Sequence, residues 1–227
     1  MEQLNSSTDP LTGLMNRKAF EESSVKVINQ ARLEETPLSL ALFDIDHFLQ
    51  LNNQFGHVGG DAILVGIAKI LEKWVDCNTL TFRYGGDEFA VICLDTEREK
   101  AFLKMEHIRS EVEQQKSYSN GETTVSCQLT ISGGVAAYPI DGSDENELLR
   151  KADEALYRAK LTGRNKIILS YAERMSPKTS HYTLTQLERL SELAKDEGVG
   201  EAVLLREALD DLLIKYKHSF HLKDHRK

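Results

Sequence analysis

A chain of 227 residues, 41% apolar and 28% charged, can build one good core with a small appendage, and its composition excludes disorder and a collagenous or mucin-like chain. Its net charge of −8, from 28 Lys and Arg against 36 Asp and Glu, argues against a surface that coats nucleic acid throughout. No apolar run approaches the ~18 to 20 residues of a membrane span, and Met1 to Thr8 is polar rather than leader-like, so a cytoplasmic location without a membrane partner is expected.

Helical and strand periodicities alternate from the start. Leu14 to Leu33 reads as a helix, and Leu38 to Ile45 as a short apolar strand opened by Pro37 and closed by acids. A second helix is expected from about Gly60, because Ile63, Ile67, Ile70, Leu71 and Trp74 recur at helical spacing. Thr79 to Tyr84 and Glu88 to Leu94 flank a Gly-Gly pair and read as a β-hairpin. Glu97 to Gln115 is helical, Cys127 to Tyr138 reads as a long strand, and Glu145 to Leu161 is a helix stopped by Gly163. Lys166 to Leu169 makes a final strand, and the sum is an α+β or α/β layered domain with helices packed on one sheet. Cys77, Cys93 and Cys127 form no CxxC pair and read as reduced thiols among apolar neighbours.

The polar, proline-bearing stretch Ser176 to Ser180 looks like a linker, dividing the chain into a domain over 1–172, a linker over 173–179 and a module over 180–227. From Ser176 onward nine basic and nine acidic residues balance, so the acidic excess lies in the first domain. Thr183 is a good N-cap for a helix carrying Leu187, Leu190, Leu193 and Ala194 and ended by Gly198. A second helix carries Leu205, Ala208, Leu209, Leu212 and Leu213 to about Tyr216. Some 40 residues rarely support a core alone, so the tail is expected to dimerise.

Chemistry concentrates in the first domain. Asp44 and Asp46 end an apolar strand, and Asp87 and Glu88 sit at the Gly-Gly turn. Each acid taken singly also reads as a solvated turn residue. Together they could gather one or two Mg²⁺ ions, which want oxygen ligands and substrate phosphates. Gly85 and Gly86 would let a nucleotide approach the backbone.

Arg83-Tyr84-Gly85-Gly86-Asp87-Glu88-Phe89 resembles the signature of the GGDEF family, and the resemblance runs from Asp9-Pro10-Leu11-Thr12-Gly13-Leu14-Met15-Asn16-Arg17 through Phe43-Asp44-Ile45-Asp46-His47-Phe48. It continues in Asn52, Gly56-His57, Gly60-Asp61, the Ala152 to Lys160 segment and Gly163-Arg164-Asn165. The family comprises diguanylate cyclases, which condense two GTP into cyclic di-GMP on a fold similar to adenylyl cyclase domains and polymerase palms. That fold implies a mainly antiparallel central sheet with packed helices.

The resemblance implies that Asp44, the Ile45 carbonyl and Asp87 hold two Mg²⁺ per active site, with Mn²⁺ as a substitute. It gives Glu88 a role either in deprotonating the ribose hydroxyl or as a metal ligand, so that Asp87 and Glu88 are the catalytic candidates. Asn52 and Asp61 would read guanine, Lys160 and Arg164 would meet the β and γ phosphates, and Gly85 and Gly86 would pass the nucleotide. Phe48 lines the pocket or packs, and His57 is a structural histidine or a substrate neighbour. A two-fold product from one GTP per domain implies a homodimer.

Two departures from the family pattern stand out. Leu49 replaces a lysine found in many members, and Asp76-Cys77-Asn78-Thr79 stands where product-inhibited members carry Arg-x-x-Asp, so no inhibitory product site is expected. The tail resembles a ribbon-helix-helix module, a short strand at Lys178 to His181 followed by two helices, which implies DNA binding or plain dimerisation. The rival to the enzyme is a non-catalytic regulator that binds GTP or cyclic di-GMP and acts through a DNA-binding tail. Only eight residues precede Asp9, so no sensor domain is expected there and regulation falls to the tail, a partner or expression level.

Overall fold

The computed structural model describes residues 7–170 and 180–196, together with Glu201, Leu204, Leu205, Ala208, Leu209 and Leu212. By its internal contacts the chain divides into two compact units, Met1–Glu173 and Arg174–Lys227.

The first unit opens with α1 (Arg17–Glu34), where Asn16 caps the helix by accepting from the Ala19 amide at 3.0 Å. Strand β1 (Leu38–Ile45) is buried along its whole length. Helix α2 (Phe48–Lys73) follows, broken at Gly56, whose φ of 70° and ψ of 173° are not helical. It begins well before the expected start at Gly60: Phe48, Leu51 and Phe55 of its first segment already pack against the core at helical spacing, but the break at Gly56 separates them from the stripe that begins at Ile63. β2 (Thr79–Arg83) and β3 (Glu88–Leu94) form the expected hairpin, and α3 spans Arg98–Gln114. A small hairpin, β4 (Ser117–Ser119) with β5 (Thr124–Ser126), was not legible in the sequence. Asn120 builds its turn by accepting from the amides of Glu122 and Thr123. Strand β6 covers Ile131–Tyr138, shorter than the expected run from Cys127. Helix α4 (Glu145–Leu161) and strand β7 (Ile167–Leu169) complete the unit.

The sheet order is β2-β3-β1-β6-β7, antiparallel except for the parallel β6–β7 pair. The architecture is α+β, with a mixed sheet and helices on both faces. Side-chain alternation along β1 divides the core in two. Ala41, Phe43 and Ile45 pack with Ile63 and Ile67 of α2 and with Met105 and Ile108 of α3. Leu38, Leu40 and Leu42 pack with Phe20 of α1 and with Leu148, Ala152 and Leu156 of α4.

Helix α4 starts at the Asp144 cap, which accepts from the Glu147 amide at 3.0 Å, while Glu147 accepts from Ser143 in return. It then lies directly on β6. A Cβ placed on Gly134 would meet the Ala152 carbonyl oxygen at 2.0 Å and the Leu156 amide nitrogen at 2.4 Å. Backbone atoms cannot yield as a side chain can, so this glycine sets the distance between helix and sheet.

In the second unit, α5 (Leu184–Asp196) begins at Thr183, whose hydroxyl accepts from the Gln186 amide while Gln186 Oε1 accepts from the Thr183 amide. Leu184, Leu187 and Leu193 are exposed on it. Glu201, Leu204, Leu205, Ala208, Leu209 and Leu212 are helical. Ser180 to Thr183 forms no strand, and the remainder of the expected strand, Lys178 and Thr179, lies outside the described residues, as do Gly198 and Tyr216. A ribbon of this kind requires a second chain to pair with, which one chain cannot supply.

Replacing Gly134 with Ala should lower the stability of the first unit by about 2 to 3 kcal/mol, since overpacking against backbone has no inexpensive relaxation. Denaturant unfolding of Gly134→Ala would read this as a lower midpoint at unchanged slope, and an unchanged midpoint would refute the close approach.

Candidate active site

Three carboxylates meet where β1 and the β2–β3 turn run together. Asp44 is directly opposite Glu88 in the β1–β3 register, so both side chains leave the same face of the sheet. The Ile45 amide donates to the Asp87 carbonyl at 3.3 Å, drawing the turn against the end of β1. From the other side, Lys160 in the last turn of α4 brings its Nζ to 2.8 Å from Asp44 Oδ2. Burial pushes the Asp44 carboxyl up, the Lys160 ammonium pulls it down, and Asp87 and Glu88 push it up again, leaving it above the ordinary value.

The two glycines of the turn serve different ends. A Cβ on Gly85 would stand 2.8 Å from Glu88 Oε2, so this glycine makes room for the folded-back glutamate. Gly86 has nothing within 4 Å of a Cβ and leaves open backbone. Its carbonyl accepts from Arg83 Nη2 at 2.8 Å and Nε at 3.2 Å. The same guanidinium reaches both oxygens of Asp9, at 3.1 and 3.2 Å. Asp9 also accepts from the Thr12 amide and hydroxyl at 2.8 and 2.7 Å. Burial raises the Asp9 carboxyl, but the bonds from Thr12 and Arg83 outweigh it and hold the group below its ordinary value.

The break at Gly56 folds the start of α2 back on its continuation. A Cβ on Gly60 would lie 1.9 Å from Asn52 Oδ1 and 3.4 Å from Phe48 Cζ, so Phe48 and Asn52 gather over the Gly60-Asp61 turn of the helix. Phe48 also packs against the core. His57 is exposed rather than packed, and Leu49 is 74% exposed on the first turn of α2.

Asp46 does not join Asp44. It is buried, and its carboxylate accepts from Thr130 Oγ1 at 2.6 Å, Ser132 Oγ at 2.7 Å and the Asn165 amide at 3.1 Å. Arg164 is exposed just after α4, in a left-handed conformation with φ of 57°. In the 76–79 stretch, Asp76 accepts from the Thr79 hydroxyl at 2.7 Å and pairs with Lys104 Nζ at 2.9 Å. These two partners, the hydroxyl first, bring Asp76 down to about 2. Cys77 is exposed, Cys93 is buried and Cys127 lies between, so the apolar setting expected of all three fails for Cys77.

Among the described residues no three His, Cys, Asp or Glu side chains come together as a set that could hold a metal ion by themselves. The donors nevertheless fit a hard divalent cation that keeps waters and substrate phosphates in its shell. Asp44, Asp87 and Glu88 crowd negative charge at one point, and an ammonium already stands against Asp44. A cleft of about 430 Å³ lined by Pro37, Arg98, Tyr138 and Pro139 lies at the other end of β1 and shares none of these residues.

The family model for the diguanylate cyclase GGDEF domain matches residues 6–166. The chain belongs to the GGDEF family. The probable diguanylate cyclase DgcT of Escherichia coli is 36% identical over 161 residues, covering 71% of this chain and 35% of that protein. The response regulator PleD of Caulobacter vibrioides is 38% identical over 162 residues, with the same shares. This GGDEF chain thus spans about a third of the length of these curated relatives. Among solved structures, the GGDEF domain of DgcB from Caulobacter crescentus, in complex with c-di-GMP, matches with a TM-score of 0.68 at 31% identity, covering 76% of this chain and 97% of that one. An active GGEEF domain from Vibrio cholerae matches with a TM-score of 0.64 at 29% identity, covering 70% and 99%. No helix among the described residues is long and apolar enough to cross a membrane.

Sequence reasoning placed Asp9, Arg83 and Asn165 in motifs but gave them no task, since their partners are distant in the chain. Asp9→Asn should cost about 1 to 2 kcal/mol of stability at neutral pH, the lower part of the range for hydrogen bonds to a charged group, because the amide keeps one acceptor oxygen. Because the folded pKa lies below the ordinary 3.8, the contribution is complete above that value and disappears as pH falls through the lower one. Unfolding of wild type and variant should therefore differ at pH 7 and converge in acid; a constant difference would exclude the ionised Asp9 as its source.

Proposed function

We propose that this chain is a diguanylate cyclase, condensing two GTP into cyclic di-GMP and two pyrophosphates with Mg²⁺ as a homodimer. The observation that carries the reading is the register that sets Asp44 against Glu88 and ties Ile45 to Asp87, in a chain whose GGDEF match spans residues 6–166.

Asp44, the Ile45 carbonyl and Asp87 would hold the metal, two Mg²⁺ per active site with Mn²⁺ as a substitute. Bound there, a divalent ion neutralises the triphosphate and lowers the pKa of the ribose 3′-hydroxyl that attacks an α-phosphate. Glu88, folded over Gly85, either accepts that proton or adds a metal ligand. Asn52 and Asp61 read guanine. A carboxylate accepts from guanine N1–H and the 2-amino group, whereas adenine offers an acceptor at N1 and leaves the charge unpaired, which penalises ATP. Phe48 flanks the base, exposed His57 lies near it, and the open backbone at Gly86 admits the phosphates. Lys160 and Arg164 take the β and γ phosphates, and Lys160 leaves Asp44 to do so. The Asp76, Thr79 and Lys104 cluster stands in place of an inhibitory product site.

Each domain holds one GTP, so two copies face each other to close a two-fold ring. The apolar residues exposed on α5, Leu187 and Leu193, suit pairing of two tails, which would hold the cyclase domains near ~mM effective concentration. A ribbon-helix-helix tail would add DNA as a partner. The second reading, a nucleotide-binding regulator without turnover, draws its support from exposed Leu49, where the family pattern implies a lysine.

Incubating the protein with GTP and Mg²⁺ should yield cyclic di-GMP by mass spectrometry, with none from Asp87→Ala or after EDTA, and initial rates should not slow as product accumulates. GTP binding without product at every protein concentration would instead favour the regulator. Removing residues 176–227 should make specific activity depend steeply on enzyme concentration. Unchanged activity at nanomolar enzyme would remove the tail from the dimer.

A further inference from the structure

The connection from α4 to β7 carries three successive residues in the left-handed region: Gly163 at φ 104°, Arg164 at 57° and Asn165 at 48°. Only the first adopts this conformation freely, so the surroundings must hold the other two. They do so from both sides. The Arg164 amide donates back to the Ala159 carbonyl at 2.9 Å, closing the helix. The Asn165 amide donates to buried Asp46 at 3.1 Å, and Asp46 is itself fixed by Thr130 and Ser132.

From α3, Arg109 Nη1 donates to Asn165 Oδ1 at 2.7 Å, and Asn165 Nδ2 donates to Glu113 Oε1 at 2.8 Å. Arg109 is locked between Glu113 at 2.8 Å and Glu106 at 3.0 Å, and Glu106 accepts from the Ile167 amide at 2.9 Å. Asn165 therefore commits its backbone amide, its side-chain oxygen and its side-chain nitrogen at once. The residue before it, Arg164, is exposed and takes no part in the bonds to Asp46 and α3, its amide donating to the Ala159 carbonyl instead. So many polar bonds spent on one loop, from buried Asp46 and the half-buried groups of α3, next to an arginine left outward beyond Lys160, have a purpose in placing that arginine.

We propose that Asp46, Arg109 and Glu113 are positioning residues which act through Asn165 to hold Arg164 where it meets the phosphates of the bound nucleotide. This rests on the reading of Arg164 as a phosphate contact. An arginine that binds the phosphates alike in ground state and transition state changes KM rather than kcat when it is misplaced.

Asn165→Gly tests the proposal cleanly, because glycine keeps the left-handed backbone free while removing only the amide's bonds to α3. KM for GTP should rise about tenfold with kcat within about threefold, the signature of lost uniform binding. The thermal midpoint should stay close to that of wild type, and the ratio of GTP to GMP affinity in equilibrium binding should fall by the same factor as KM rises. Arg109→Met should behave likewise, with Arg109→Lys recovering part of the loss. In an Arg164→Ala background neither change should have further effect, since a positioning residue has nothing left to position. An equal KM rise in both backgrounds, unchanged KM and affinity ratio in both variants, or a lowered thermal midpoint with loss of kcat alone would overturn the proposal. Absence of cyclic di-GMP from wild type would overturn the cyclase reading instead, and the GTP-to-GMP affinity ratio would then decide the positioning role by itself.

Discussion

Because β1 is hydrogen-bonded along both edges, Asp44 is set opposite Glu88 on β3 and opposite Ser132 on β6 at the same time. Both neighbours would have to slip together to move it. A one-residue slip would also exchange the two apolar faces of a strand buried on both sides. Leu38, Leu40 and Leu42 would then face α2 and α3, while Ala41 and Phe43 would be driven into the close seam under α4. The placement of the acids is thus enforced by the core, which has far more apolar area at stake than the site has charge.

The two aspartates of Asp-Ile-Asp differ in what surrounds them. Asp46 has three neutral donors on its carboxylate, so its charge is already solvated by protein and asks for no cation. Asp44 has one ammonium and two acidic neighbours, and stays above its ordinary pKa in spite of Lys160. One positive charge does not balance three negative ones, whereas a doubly charged ion does so more nearly. This distinguishes the candidate ligand from the buried anchor, although the two lie two residues apart.

Elements that gather their own signals were legible in the sequence. β1 and α4 were read residue for residue, because one is a continuous apolar run stopped by acids and the other has a capping residue, a clean stripe and Gly163. The first half of α2 was not, since Phe48, Leu51 and Phe55 recur at helical spacing over only about two turns before the break at Gly56 interrupts the run. The three-residue strands β4 and β5 are too short to carry a period, although Tyr118 at the centre of β4 is buried. Cys127 to Thr130 looked like strand because it leads into one, yet only Ile131 onward pairs with β1. In the site, motif spacing located the acids and glycines, but the bond from Asn165 to Asp46 joins residues 119 apart, and no local pattern announces it.

Those distant bonds depend on α4 lying close to the sheet. Gly134 removes the one side chain on β6 that would lift the helix, and Ala152, Ala155 and Ala159 present their smallest faces to the interior. A helix is rigid over its 17 residues, so the approach set at Ala152 is carried to its last turn, where Lys160 must reach Asp44 and the chain must turn back at Gly163. A bulkier residue at Gly134 would therefore act at the site without touching it. Raising the helix would lengthen the Lys160 to Asp44 contact and pull Asn165 from Asp46 in one movement, because both bonds hang from the same end of the same rod. Packing and chemistry are joined here through that geometry: the small residues of a core seam set the distance at which the charged residues beyond it can work.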